Sequence, residues 1–374
     1  MTHRILLVGA GGTFGLRLAR RAAASVPCTL LVAGRSLSRA QAVADALRQA
    51  NPAADIKAIA LDRETVTTEE LRALGAFIVI DAAGPFQGHA PHLAQIAIAA
   101  GSHFIDIADA RDYVANFPAL DETARAAQVL AVTGASSTPA LSNAVLDALT
   151  KGWQQVEAVS VAISPGNRAP RGLAVVEAIL SYAGKPVRVL EDRVWRTRPG
   201  WGQLRRQEMP GLGRRWLSLC ETPDLDIIPA RFPGLQRVSF LAGLELAVLH
   251  LGLWALSLPV RAGLLRSLAP SAAFLTRAAT WFEPLGSDRG GMMVDVTGRD
   301  AQGRAVAAKW WLVAQAGDGP NIPVLPALAL VRRLVSGVET RTGAQACTGL
   351  LTLAEIEAEF SAFQITSGST NTPR

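Results

Sequence analysis

Short apolar runs alternate with longer Ala- and Arg-rich stretches over residues 1–150. The runs 4–9, 29–34, 56–61, 76–82, 103–108 and 129–134 have the length and continuity of strands buried on both faces. Between them, 16–24 and 38–50 carry apolar residues at helical spacing. Strands alternating with helices predict a doubly wound α/β domain around a parallel sheet.

The pattern changes near Lys151. Residues 153–164 and 186–195 read as longer strands. Two alternating segments, 291–298 and 304–314, flank the turn Asp300-Ala301-Gln302-Gly303, a hairpin signal. The fold class expected is thus α/β, an N-terminal Rossmann domain over 1–150 plus a second α+β domain over 151–321 with a mostly antiparallel sheet. Thr352-Leu353-Ala354-Glu355 is a capping box that opens a last helix ending near Phe360. The polar tail 362–374 is expected to be disordered. The stretch 238–260, almost continuously apolar, predicts a hydrophobic helical insertion extending to about 282. Only Glu245 and His250 interrupt it. A buried or dimer-interface helix, a membrane-surface or lipid-binding helix and a bilayer span are its three readings.

Composition narrows the class. Of 374 residues 49% are hydrophobic and 18% charged, enough apolar material for large cores. The formal charge of +6 is carried by arginine, since the lysines are only Lys57, Lys151, Lys185 and Lys309. The stretch 195–216 interleaves Arg196, Arg198, Arg205, Arg206, Arg214 and Arg215 with Trp201. Its glycines and enzyme-like surroundings argue against nucleic acid and favour a surface for acidic substrates or phospholipid headgroups. Cys28, Cys220 and Cys347 are odd in number and far apart, so neither a zinc site nor a redox dithiol is expected. With no recognisable signal peptide, the reading is a cytoplasmic protein, with peripheral membrane association as a variant of it.

The strongest chemical signal is Val8-Gly9-Ala10-Gly11-Gly12-Thr13-Phe14-Gly15, a strand running through a glycine turn into a helix. Gly9 allows the tight turn, Gly11 and Gly12 the approach of a pyrophosphate, and Gly15 close helix–sheet packing. The phosphates then meet the unpaired amides and positive dipole end of that helix, near Thr13 and Phe14. At the end of the second strand, where NAD enzymes carry a carboxylate for the ribose, stand Gly34-Arg35-Ser36. Arg35 offers a guanidinium and Ser36 a hydroxyl to a 2′-phosphate, so NADP(H) is the expected cofactor. Asp62 follows the third strand, where an adenine contact falls. Ala83-Gly84-Pro85 follow the fourth, beside the expected nicotinamide ribose.

These pieces, with Gly101-Ser102-His103-Phe104-Ile105-Asp106, Ser287-Asp288-Arg289-Gly290-Gly291 and Gly349-Leu350-Leu351-Thr352-Leu353, resemble the saccharopine dehydrogenase family, in its NADP-binding, saccharopine-reductase-like branch. The resemblance implies hydride transfer with NADP(H), a C-terminal segment (about 322–361) completing the Rossmann domain, and a homodimer. The arginine-rich stretch and the apolar run after Val238 depart from the amino-acid-handling branch.

A short-chain dehydrogenase mechanism needs a tyrosine and a lysine four residues later. Phe117 and Pro186 stand at that distance from Tyr113 and Tyr182, so the dyad is absent. Candidate proton handlers are Asp106 and His89, with His92, His103 and Asp109 behind them. Ser136, Ser137 and Thr138 either bind an anionic group or cap a helix. The expected activity is an oxidoreductase acting on a C=N, C=O or activated C=C bond of a small, hydrophobic molecule. A lipid enoyl reductase and a non-catalytic NADP-sensing or membrane-docking protein are the alternatives. No metal site is expected.

Overall fold

The computed structural model describes residues 3–170 and 172–373. The chain divides into two compact units, Met1–Leu141 with Asn321–Leu351, and Ser142–Pro320 with Thr352–Arg374.

The first unit is a parallel sheet of seven strands. Six are β1 (His3–Val8), β2 (Cys28–Gly34), β3 (Asp55–Ala60), β4 (Ile78–Asp81), β5 (His103–Asp106) and β6 (Leu130–Thr133); the seventh is Gly343–Ala346. Their spatial order is β3-β2-β1-β4-β5-β6 followed by the seventh, every pairing parallel. The order reverses between β1 and β4, which opens a crevice at the strands' C-terminal ends. Ile5, Leu6 and Leu7 of β1 have no exposed surface, because helices cover both faces of the sheet. Helix α1 (Gly15–Ser25) buries Leu18, Ala19 and Ala22. Helix α2 (Leu37–Ala50) buries Ala40, Ala44 and Leu47 at the same three-to-four spacing. The returning segment supplies the helix Leu325–Val335. Its Arg332 donates to the Ser25 carbonyl at 2.7 Å and to Ser25 Oγ at 2.6 Å, where α1 ends. The part that returns to this unit ends at Leu351; the capping box opens the helix Leu353–Ala358 in the second unit.

The second unit carries β7 (Gln155–Ser164), β8 (Pro186–Glu191), β9 (Val194–Pro199), β10 (Arg205–Met209), β11 (Gly213–Leu219), β12 (Arg237–Ala242), β13 (Gly290–Arg299) and β14 (Ala305–Ala314). Its main sheet has the order β10-β11-β12-β7-β13-β14 and then Ile365–Pro373, antiparallel except between β7 and β12. The β13–β14 turn is held by Asp300, whose Oδ1 accepts from the amides of Gln302 and Arg304 at 2.9 Å. Ala162, Met209, Leu217, Leu241 and Met293 form one core cluster.

Several expectations are corrected. Residues 186–195 are not one strand; β8 and β9 form a hairpin whose turn residues Asp192 and Arg193 both have positive φ. Arginine at that position concealed the turn. The tail is not disordered, because Ile365–Pro373 pairs with Val306–Ala314 of β14 and covers that edge. The stretch 238–260 is not one helix but the strand β12 and the helix Ala247–Arg261, separated by a short connection. No helix among the described residues is long and apolar enough to cross a membrane.

The polar interruptions explain that break. Glu245 Oε2 accepts from the amides of Asn167 at 2.6 Å and Ser287 at 2.9 Å, while Oε1 accepts from Ser287 Oγ and Arg215. Burial pushes this carboxyl up, but these hydrogen bonds and the Arg215 charge outweigh it and hold it below the ordinary carboxylate range. His250 is fully buried. Its Nε2 lies 3.0 Å from Ser218 Oγ and its Nδ1 accepts from the Leu244 amide, which fixes the entry to the helix. Within 195–216 Arg206 is exposed without a partner among the described residues, but most of the other arginines meet an acid. Arg196 and Arg198 pair with Glu191, Arg214 with Glu208 and Arg215 with Glu245, and Trp201 is wholly buried.

Removing Glu245 leaves Arg215 and two backbone amides without their acceptor. Glu245→Ala is therefore expected to cost about 3 kcal/mol, and Glu245→Gln less. A urea midpoint unmoved in the alanine variant would show that the cluster does not hold the loop.

Candidate functional site

The glycine turn is built by close contacts. After β1, Gly9 adopts φ +81°, and a Cβ there would stand 2.7 Å from the Ala83 amide nitrogen. A Cβ on Gly15 would stand 2.1 Å from the Gly9 carbonyl oxygen, so only glycine lets α1 begin against the turn. The Gly12 amide donates to that same carbonyl at 2.9 Å. Gly11 differs: no atom of the described residues lies within 4 Å of where its Cβ would be. Thr13 and Phe14 complete the turn, half-buried. No side chain caps α1 and its first turn holds no acid, so its positive end is left for an anion. The open ground at Gly11 and this uncapped terminus fit a pyrophosphate.

Arg35 follows β2, exposed, and makes no hydrogen bond or ion pair among the described residues. It is a cation without a counter-charge, placed where a 2′-phosphate is expected. Ser36 has a second duty: its Oγ accepts from the Arg39 amide at 3.4 Å as the N-cap of α2. Asp62 Oδ1 accepts from the Glu64 amide at 3.1 Å and shapes the turn that presents Arg63.

Arg63 was missed in the sequence, where nothing local marks it. It donates to Asp81 Oδ2 at 3.3 Å and to the Pro85 carbonyl at 3.3 Å, and lies 5.6 Å over the Phe86 ring. Asp81 in turn accepts from the Ala83 amide at 2.9 Å. One guanidinium thus fastens the Ala83-Gly84-Pro85 loop to the β3 side. Burial raises the Asp81 carboxyl, and Arg63 and the Ala83 amide oppose that rise. Beside it lies a cavity of about 10 Å³ whose lining includes Arg63, Asp81, His89, His92 and Tyr113, room for about one water. His89 is exposed, with Nδ1 3.5 Å from Glu64 Oε1.

Asp106 has no exposed surface. Its Oδ1 accepts from Ala108 N, Gly134 N and Thr133 Oγ1 at 2.8–2.9 Å, clamping the turns after β5 and β6. Oδ2 has no hydrogen-bond partner among the described residues, although the Tyr113 phenol adjoins this carboxyl. Burial pushes Asp106 up to about 7 against the three hydrogen bonds. Burial, then the charges of Asp106 and Asp81, hold the Tyr113 phenol well above its usual range. Asp109 is also raised by burial and accepts from Gln87. His103 stands at the start of β5, the end away from the crevice, and its Nδ1 accepts from the Leu130 amide. Ser136, Ser137 and Thr138 are buried; Thr138 is extended, and the helical turn Ser137–Leu141 runs directly into the helix Ser142–Leu149.

Residues 5–147 match the family model described as the saccharopine dehydrogenase NADP binding domain. No curated protein matches the sequence. Among solved structures the chain is similar to apo saccharopine dehydrogenase (L-Glu forming) from Saccharomyces cerevisiae. The identity is 13% and the TM-score 0.68, covering 98% of this chain and 100% of that one. A meso-DAPDH mutant from Clostridium tetani matches at 11% identity and TM-score 0.47, covering 96% and 98%. The yeast likeness shows the fold. The matched domain identifies NADP(H) as the cofactor and supports an oxidoreductase.

The two glycine contacts separate stability from binding. Gly15→Ala is expected to unfold or strongly destabilise the first unit. Gly11→Ala should leave the melting temperature within a few degrees yet weaken NADPH binding by about tenfold or more, measured by calorimetry. Equal binding by wild type and Gly11→Ala would remove the cradle.

Asp106 gives a pH signature. A carboxyl that ionises at 3.8 unfolded and about 7 folded costs stability as pH rises through that window, by at most about 4 kcal/mol, and the cost is constant above it. Asp106→Asn keeps the Oδ1 acceptor without the charge. Between pH 4 and pH 7 the variant should therefore gain stability relative to the wild type. A difference in urea midpoints independent of pH would sink the assignment.

Proposed function

We propose that this chain, whose residues 5–147 match the saccharopine dehydrogenase NADP binding domain, oxidises or reduces a C=N, C=O or activated C=C bond in a small hydrophobic molecule. The observation that carries the reading is the open glycine cradle at an uncapped helix end, one strand from the unpaired guanidinium of Arg35. When bound, NADP(H) supplies or accepts the hydride equivalent. The chain's own groups do the rest. The backbone of Gly9 and Gly11 to Gly15 takes the pyrophosphate. Arg35, with the Ser36 hydroxyl beside it, takes the 2′-phosphate. Asp62 borders the adenine, and Ala83, Gly84 and Pro85 border the nicotinamide ribose, held there by Arg63.

The proton is assigned to His89, which follows the same loop and has exposed surface. Asp106 is assigned to positioning: it fixes the ends of β5 and β6, which carry the neighbouring loops. The reading includes an intracellular homodimer. The full burial of Asp106 favours a second reading, an NADP-sensing protein without turnover.

Absorbance at the reduced-nicotinamide band, with purified protein and panels of imines, ketones and enoyl esters, separates the two. The first reading expects NADPH consumption with at least one panel and its loss in His89→Ala. Tight NADPH binding without turnover on any panel would leave the sensor.

Arg35→Asp should lower the NADPH-over-NADH affinity ratio by about 10–100-fold, the worth of a charge-assisted phosphate contact. An unchanged ratio would take Arg35 out of the site.

A further inference from the structure

We propose that the second unit docks on an anionic phospholipid bilayer through the surface built by the helix Ala247–Arg261, the turn after it, and the helix Ala272–Thr280. The first helix is inverted relative to an ordinary surface helix. Its polar residues His250 and Ser257 have no exposed surface. Its exposed residues are Ala247, Val248, Gly252, Ala255, Leu256 and Leu258, none of them polar. Beyond it Leu264 is 78% exposed, Phe274 73%, Trp281 80% and Leu285 70%. Isolated exposed apolar residues are ordinary, but a cluster with this much aliphatic and aromatic surface marks a contact site.

Charge selects the occupant. From Leu246 to Phe282 the sequence contains no aspartate or glutamate. Arg266 and Arg277 are exposed and have no partner among the described residues. Arg261 is spent internally, donating to the Trp201 carbonyl at 3.0 Å and lying over the Trp254 ring. Glu245 is turned inward onto Arg215, and Glu283 is the first acid after the stretch. A second copy of the same surface brings Arg266 and Arg277 against their own counterparts, with one exposed acid per copy, Glu283 at the border, to answer the two arginines, which disfavours a self-complementary contact. Protein interfaces also carry about one hydrogen bond per 100–200 Å², and the first helix presents no exposed polar side chain to make one. Apolar and aromatic side chains among unpaired arginines are instead the composition of a surface that enters the headgroup layer of an anionic membrane. No helix among the described residues is long and apolar enough to span, and the contact proposed is peripheral.

The test is co-flotation of the full chain with vesicles of phosphatidylcholine alone and of phosphatidylcholine mixed with phosphatidylglycerol. Binding to the anionic vesicles should exceed binding to the neutral ones by about tenfold or more and weaken as salt is added. Arg266→Glu with Arg277→Glu should abolish that preference. Leu264→Ser with Phe274→Ser and Trp281→Ser should abolish flotation on both kinds of vesicle. Both sets should keep the wild-type circular dichroism and NADPH affinity. Should the serine variant not fold, the arginine variant decides alone. Failure of the wild type to float with anionic vesicles overturns the proposal, as does flotation unaffected by the arginine changes. A concentration-dependent dimer broken by the serine changes, without flotation of the wild type, would assign the surface to a second copy instead.

Discussion

The first unit depends on the contact between α1 and the turn it springs from. With no Cβ at Gly15, the helix starts against the Gly9 carbonyl, and with none at Gly9, the turn passes beside Ala82 and Ala83. Those absences set how near the positive end of α1 lies to the crevice between β1 and β4. A methyl group at either point collides with backbone, which cannot swing away as a side chain can. Gly11, by contrast, has space around it. No described residue fills the space beside it, and that space is the one proposed for the pyrophosphate.

The same logic extends to the buried charges. Arg63 with Asp81, and Asp106 with the amides after β5 and β6, are interior polar groups that hold loops rather than bare functional groups awaiting a substrate. Each costs desolvation and repays it by satisfying several donors at once. Glu245 and His250 do likewise in the second unit, where they hold the connection between β12 and the helix Ala247–Arg261. The arginines between β9 and β11 follow the pattern: most meet an acid from a neighbouring strand or loop. Of the cations without a partner among the described residues, Arg35 stands beside the glycine cradle of one unit, and Arg206, Arg266 and Arg277 stand on the surface of the other.

How much could be read beforehand follows the range of each interaction. Strands β1 to β6, the glycine turn and the box at Thr352 are written in neighbouring residues, and local pattern suffices for them. Arg63 is invisible because its meaning lies in Asp81 and Pro85, some twenty positions away. Tyr113 drew notice only as lacking a partner lysine, whereas its setting is made by Asp106 and Asp81. The β8–β9 turn was hidden because Asp192 and Arg193 adopt positive φ without a glycine. The final strand looked like a tail because its polar residues owe their order to pairing with β14.

The amino-acid sequence alone determined the nucleotide fold and the preference for a phosphorylated ribose. Both rest on missing side chains and on the absence of an acid near Arg35, which are local facts. Tertiary structure alone decided which charges are spent and which are free, that Asp106 is sealed from solvent, and that the 238–260 stretch turns its polar groups inward. Those are matters of who neighbours whom across the fold, and the electrostatic meaning of a residue is set by its surroundings, not by its type.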